Sequence, residues 1–275
     1  MMMERPWEGA MPPFRICGNL YFVGTRPASS HLIDTGDGLV LLDSGYQESL
    51  YLVLESIREL GFDPHDIRYI VHSHGHVDHA GATRALLELS GAQSWLGAAD
   101  RDIVNGTRPL TWAPEYELDF QYFEPDHLLY DGDHIRLGNL DMLCVATPGH
   151  TPGTFSFFWE LGRAGGRTLR AGTMGGAGVN TLASDYIRRY GLENEDWRGA
   201  LRRSLNRCRQ ENVDLFIGNH TWQNDTPGKY QRLRSGDPDA FVNPGDWPRF
   251  LNEVEAKLDR VEREDPLSPD RSVRS

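Results

Sequence analysis

The sequence predicts an α/β protein built as a four-layer αβ/βα sandwich, with two mixed β-sheets face to face and helices outside. Two observations predict it. Short β-like runs crowd two regions, about 14–45 and 128–172, and segments with helical periodicity follow each of them. The resulting order is strands, helices, strands, helices, in two halves of similar plan. Two sheets that pack together with helices on their outer faces bury the most apolar surface such an order allows. Composition agrees: 275 residues, 39% hydrophobic and 25% charged, are enough for one large core. We read 1–275 as a single domain, with its core over about 14–263 and terminal extensions at 1–13 and 264–275.

The elements follow in order. FRIC, LYFVG, SHLID and GLVLLDSG are strands, and Gly36-Asp37-Gly38 between the last two reads as a hairpin turn. An amphipathic helix runs from about Gln47 to Leu60, with Leu50, Val53, Leu54 and Ile57 on one stripe and Gly61 as its stop. Residues 67–71 form a short strand, and a second helix spans roughly 79–90 before Gly91. The stretch 98–127 is irregular and rich in aromatics (Trp112, Tyr116, Phe120, Tyr122, Phe123), and reads equally as a packed loop or as a wall over a pocket. Strands return in LLYDGDHIRLGNLDMLCVATPGH, TFSFFWE and RTLRAG. Helices at about 182–190 and 195–211, a strand DLFIG, and helices near 227–234 and 246–263 complete the chain. The polar stretch after Glu264 is expected to fray.

Charge and composition exclude several classes. A net charge of −12 with scarce lysine repels polyphosphate backbones, so nucleic acid is not an expected partner. No stretch approaches the roughly 20 apolar residues of a membrane span. The N-terminal stretch MMMERPWEGAMPPF has no apolar signal-like core, and the three cysteines (Cys17, Cys144 and Cys208) are scattered. A small-molecule substrate and a reduced, cytoplasmic setting are the expectation.

Chemistry concentrates in SHGHVDHAG, residues 73–81. His74 and His76 stand two apart, so in extended backbone both side chains point the same way. Asp78 and His79 fall at the turn into the next helix, where an Asp is a natural cap. Neutral imidazole and carboxylate are the ligands that zinc and similar divalent metals take, about four to an ion, so further ligands must come from elsewhere. His150 in TPGHTPG and His220 in GNHT each follow an apolar strand, where α/β architectures gather their chemistry. His31, His65, His72, His127 and His134 lie in a strand or in turn-rich segments and read as structural or surface residues.

HSHGHVDHAG, followed by TPGHTPG and a late strand-end histidine, resembles the metallo-β-lactamase superfamily, whose motif is HxHxDH. The likeness runs from about Phe14 to about Leu258. GNLYFVGT, GLVLLDSG, LGFDPHDIRYIVHSHGHVDHAGA and DGDHIRLGNLDMLCVATPGHTPG are especially similar to the subclass B3 branch. The resemblance implies the metallo-β-lactamase fold and a first metal held by His74, His76 and His150. It implies a second metal held by Asp78, His79 and His220. It also implies that Asp43, at the end of GLVLLDSG, supports a ligating imidazole from behind. Two divalent ions would lower the pKa of water from about 15.7 to about 7, with Asp78 holding the nucleophile's proton.

Departures from the family's patterns narrow the reading. Lactonases, thioesterases and phosphodiesterases of this superfamily have a bridging Asp in a Gly-Asp that falls here at Gly172-Thr173, in RAGTMGGAG. Without it the site keeps six protein ligands, as in B3 enzymes. His76 stands where di-iron redox relatives have Glu, which points to zinc, two ions per chain, rather than iron or manganese. B3 enzymes grip the substrate carboxylate with two serines; the matching pocket positions are Thr173 and Gly175. A di-zinc hydrolase acting on a β-lactam or other amide is therefore expected, with lactone or thioester hydrolysis, a di-iron redox protein, and a metal-retaining binding module as the alternatives.

Overall fold

The structure, a computed structural model, describes residues 4–162, 166 and 168–267. The first sheet holds seven strands in sequence order: β1 (Phe14–Cys17), β2 (Leu20–Phe22), β3 (His31–Asp34), β4 (Leu39–Leu42), β5 (Ile67–Val71), β6 (Gln93–Gly97) and β7 (His127–Leu129). The second comprises β8 (His134–Leu137), β9 (Leu140–Ala146), β10 (Phe155–Gly162), β11 (Thr168–Thr173) and β12 (Leu215–Phe216), in the order β12-β11-β10-β9-β8. Both are mixed. Pairing is antiparallel from β1 to β4 and parallel from β4 to β7. In the second sheet only β11 and β12 run parallel.

Among the described residues eight α-helices accompany the sheets: α1 (Leu50–Glu59), α2 (Val77–Ala80), α3 (Thr83–Ser90), α4 (Arg101–Val104), α5 (Ser184–Arg189), α6 (Trp197–Cys208), α7 (Thr226–Arg234) and α8 (Asp246–Glu264). Alternation along each strand decides what packs where. Phe22, Ile33, Val40 and Leu42 of the first sheet share a core with Met142, Phe157, Trp159 and Ala171 of the second. The opposite face of the first sheet, through Leu32, Leu41 and Ile70, packs on Val53 and Ile57 of α1 and Leu86 of α3. The opposite face of the second, through Phe158 and Phe216, packs on Leu201 and Leu205 of α6 and Leu251 and Val254 of α8. Strands buried on both faces need apolar residues at both parities, which is why LVLL and FSFFW read as unbroken apolar runs. This is the four-layer sandwich that the sequence predicts. Among the described residues no helix is long and apolar enough to cross a membrane.

The structure departs from the expected elements in a few places. The predicted helix over 79–90 is two pieces, α2 and α3, interrupted at Gly81-Ala82. There the chain lies against the loop after β4: a Cβ at Gly81 would stand 3.2 Å from the Gln47 nitrogen, and Ala82 N donates to Gly45 O. The stop at Gly91 is as expected, in the left-handed region at φ +66°. Strand β6 was not expected, and His127 and His134 open strands β7 and β8 rather than sitting in turns. His127 stacks on Trp95 of β6, ring centres 4.0 Å apart, so these two short strands are held partly by a cross-strand aromatic pair. Of the residues before 14, Met11 belongs to the inter-sheet core. Past Glu264, Asp265 still accepts from the Ser184 backbone N–H at 2.6 Å. The remainder of the expected frayed tail, from 268, and Arg167 of RTLRAG lie outside the described residues.

Phe157 is fully buried between the sheets. Phe157→Ala is expected to destabilise the protein by about 3–5 kcal/mol in chemical denaturation. A loss below about 1 kcal/mol, the size of an ordinary surface change, would contradict its placement.

Candidate metal centre

The site is assembled by loops that leave β4, β5, β9 and β12. β4 and β5 are parallel neighbours in register at Leu42 and Val71, so the residues that follow them stay side by side. Asp43, the first residue past β4, has φ +61° and is buried. Its Oδ1 accepts from Ser73 N at 2.7 Å; its Oδ2 accepts from Ser73 Oγ at 2.7 Å and from His79 Nδ1 at 2.8 Å. Ser73 Oγ in turn lies 3.0 Å from His74 Nδ1. One carboxylate therefore aligns His79 directly and His74 through a hydroxyl.

The other histidines are held in the same manner. His150 Nδ1 donates to Gly178 O at 2.8 Å, and His220 Nδ1 to Pro27 O at 2.6 Å. With Nδ1 carrying the proton, Nε2 of each ring is left bare as an acceptor. His74 Nε2 faces His76 Nδ1 at 3.1 Å, and the rings of His74, His76 and His150 are 4.6–4.7 Å apart. Asp78 Oδ2 stands 3.1 Å from His79 Nε2 and 3.7 Å from His220 Nε2. The structure thus brings together all six side chains that the sequence singles out. Asp78 does not cap its helix, however: His76 occupies the N-cap position of α2 without a capping bond, and Asp78 lies inside the first turn with its carboxylate turned to the histidines.

Two subsets have the compactness of an ion site. One ligand atom each from His74, His76 and His150 lie within 4.8 Å of one another, as do those from His74, Asp78 and His79. His76 Nε2 and His79 Nε2 are buried with no hydrogen-bond partner among the described residues, an arrangement that costs about 1–3 kcal/mol per group unless something fills it. Converging imidazoles and a carboxylate suit a divalent cation. Electrostatics agree for the His74, His76 and His150 set, whereas at His79 burial is outweighed by Asp78 and Asp43, which push the ring up to about 10, so a cation bound there would have to displace a proton. Burial first, and then the neighbouring imidazoles, hold His74 and His76 well below the usual imidazole range; burial lowers His150 to about 4. These three rings are neutral, as a ligand must be. Burial opposes the charge on Asp78, but His79 and His220 beside it hold the carboxyl below its ordinary value, so it stays ionised.

His72 is not part of the group: its Nδ1 faces Trp95 O at 3.0 Å and its Nε2 Thr83 Oγ1 at 2.6 Å, which engages both nitrogens. His31 is buried against Phe22, while His65 and His134 pair with Asp63 and Asp141 away from the cluster.

Five of the six, His74, His76, Asp78, His150 and His220, line a cavity of about 510 Å³, and His79 lies fully buried behind them. Trp112 and Tyr116 line it, whereas Phe123 is buried in a separate cluster with Leu96 and Val104 and Tyr122 covers Gly106 at the surface, so the aromatic segment is part wall and part packed loop. Thr173 and Gly175 do not line the cavity. Thr173 is buried at the end of β11 opposite Phe157, and a Cβ at Gly175 would meet Phe155 O at 1.8 Å. The turn reaches the cavity one residue later, at Gly176, Ala177 and Gly178, and a Cβ at Gly176 would stand 2.7 Å from the His150 ring. Sequence reasoning also missed Tyr46, Glu115 and Trp222 on the cavity wall, and the buried carboxylate of Asp100 beneath it. Trp222 stacks on His220 with ring centres 4.4 Å apart. A lone Asp opening a helix looks like any cap, and nothing in GAAD marks Asp100 as different.

Comparison with known proteins bears on this geometry. A subclass B3 metallo-beta-lactamase of Bradyrhizobium japonicum, BJP-1, superposes with TM-score 0.86 at 24% identity, over 96% of this chain and 98% of that one. The FEZ-1 metallo-beta-lactamase of Legionella gormanii superposes with TM-score 0.84 at 26% identity, over 94% and 98%. An N-acyl homoserine lactonase of Agrobacterium fabrum, AttM, is 26% identical over 166 residues, 51% of this chain and 59% of its own. The matches to several other curated relatives likewise span about half to three fifths of those proteins' length. The family profile of the metallo-beta-lactamase superfamily matches residues 23–207, which carry five of the six converging side chains, and the chain belongs to that superfamily.

Proposed function

We propose that this metal-dependent hydrolase is of the subclass B3 type, holds two zinc ions, and opens the amide bond of a β-lactam or a related amide. The observation that carries the reading is the six-residue convergence without a bridging carboxylate: Thr173, where such a carboxylate would stand, is a buried threonine. His74, His76 and His150 would hold one ion, and Asp78, His79 and His220 the other. Zinc in this position lowers the pKa of water and polarises a carbonyl.

The chain's own groups do the rest. The hydrogen bonds that four imidazoles make to Asp43, Ser73, Gly178 and Pro27 fix those rings before any substrate arrives, so no reorganisation is needed at the moment of reaction. Asp78 turns Oδ2 toward His79 and His220, at 3.1 and 3.7 Å from their Nε2 atoms, and its other oxygen would accept the proton of the attacking water. Trp112, Tyr116 and Trp222 offer flat apolar faces for the body of the substrate and exclude water around it. A second reading, lactone hydrolysis, is favoured by the likeness to the Agrobacterium lactonase, which the missing carboxylate at 173 argues against.

Zinc-loaded protein is expected to hydrolyse a chromogenic cephalosporin, and His150→Ala to lower kcat/KM by roughly three orders of magnitude, about 4 kcal/mol of transition-state stabilisation. Fast turnover of N-acyl homoserine lactones with inert cephalosporins would move the assignment to the second reading. Asp43→Ala, which frees His79 Nδ1 and Ser73 together, is expected to weaken zinc binding about 10–100-fold in competition with a chelating dye. Unchanged affinity would show that Asp43 only caps its turn.

A further inference from the structure

Asp100 sits at the start of α4, where an aspartate ordinarily caps the helix, yet its side chain makes no capping bond. The carboxylate turns inward instead and is completely buried. Its Oδ2 accepts from Gly75 N at 2.9 Å and from Thr151 Oγ1 at 2.6 Å; its Oδ1 accepts from Gly153 N at 2.6 Å. Gly75 is the residue between His74 and His76. Thr151 and Gly153 belong to the turn that follows His150. The two segments are about 75 residues apart in the chain and come from different sheets.

Close packing around Asp100 shows that this contact is built in. A Cβ at Gly153 would stand 2.4 Å from the Asp100 nitrogen and 2.7 Å from its Cγ, so only glycine lets the turn come this near. Gly97, at the end of β6, is equally tight, since a Cβ there would meet Gly153 O at 2.1 Å. Side-chain bonds between Thr151 and Thr154 and a backbone bond from Phe155 N to Ser73 O brace the same turn. A buried carboxylate is costly to keep, and no cation touches this one among the described residues; three donors compensate it instead.

We propose that Asp100 is a positioning residue that sets the spacing of the His74–His76 pair from His150, and with it the zinc affinity of that half of the centre. The inference rests on the proposed zinc site. All three partners present donors, and only an ionised carboxylate accepts from all of them with both oxygens. An amide cannot replace it: wherever its NH2 points, it faces either the Gly75 or the Gly153 N–H, and one of the two segments is released. The effect is confined to one half of the centre, because His79 hangs on Asp43, His220 on Pro27 and Asp78 faces those two imidazoles, and none of the three bonds to Asp100 among the described residues.

The test is chelator competition that resolves the two zinc dissociation constants, with His150→Ala used to assign the one belonging to His74, His76 and His150. Asp100→Asn is expected to raise that constant about 10–100-fold and to change the other less than about threefold. Thr151→Val, which removes one arm and leaves both N–H donors in place, should weaken the same site by a smaller factor; it carries the test if Asp100→Asn does not fold. Equal weakening of both constants, or a lowered Tm with both constants unchanged, would overturn the proposal and reduce Asp100 to a packing role. Wild-type protein that takes up no zinc would instead refute the zinc site itself.

Discussion

Each converging imidazole in this protein but one is aimed by a hydrogen bond on its far side, and the working surface of the molecule depends on those bonds. An imidazole left to itself rotates and can present either nitrogen. Here Asp43 holds His79, Ser73 holds His74, Gly178 holds His150 and Pro27 holds His220, so that one nitrogen of each ring is committed to the protein and the other to the centre. His76 is the exception, positioned by His74 and by the closeness of the His150 ring. The cost is two buried ring nitrogens, His76 Nε2 and His79 Nε2, without a hydrogen-bond partner among the described residues, a cost that a divalent cation would relieve.

The sandwich supplies the stiffness this requires. Parallel pairing of β4 and β5 puts Asp43 beside Ser73, and the tight apposition of Gly97, Asp100 and Gly153 joins the first sheet's loops to the turn that carries His150. Asp43 and Asp100 thus act on the centre from two sides. One organises the residues that follow β4 and β5, the other ties that group to the second sheet. Both carboxylates are fully buried, which places their cost in folding stability and their return in the geometry of the site.

Most of the framework is legible in the sequence, for a physical reason. Strands covered on both faces produce apolar runs such as LVLL and FSFFW, and a polar cluster like HGHVDH after such a run has no place in a core unless it binds something. What the sequence hides is whatever depends on approach rather than on composition. The break at Gly81 follows from contact with the 45–47 loop, which no local pattern announces. β6 and β7 are short and contain polar residues, held in part by the Trp95–His127 stack. The turn after β11 reaches the cavity at 176–178 and not at Thr173 and Gly175, because β11 runs far enough to bury the threonine before the chain turns. Asp100 shows the limit most clearly: its partners are 25 and about 50 positions away, and only the folded chain reveals them.

The central claim is that six distant side chains cage a pair of cations. Elemental analysis of the folded protein after zinc loading and exhaustive dialysis tests it most directly. The account predicts two zinc ions per chain. A correctly folded protein that retains no zinc, and takes up neither iron nor manganese, would contradict it.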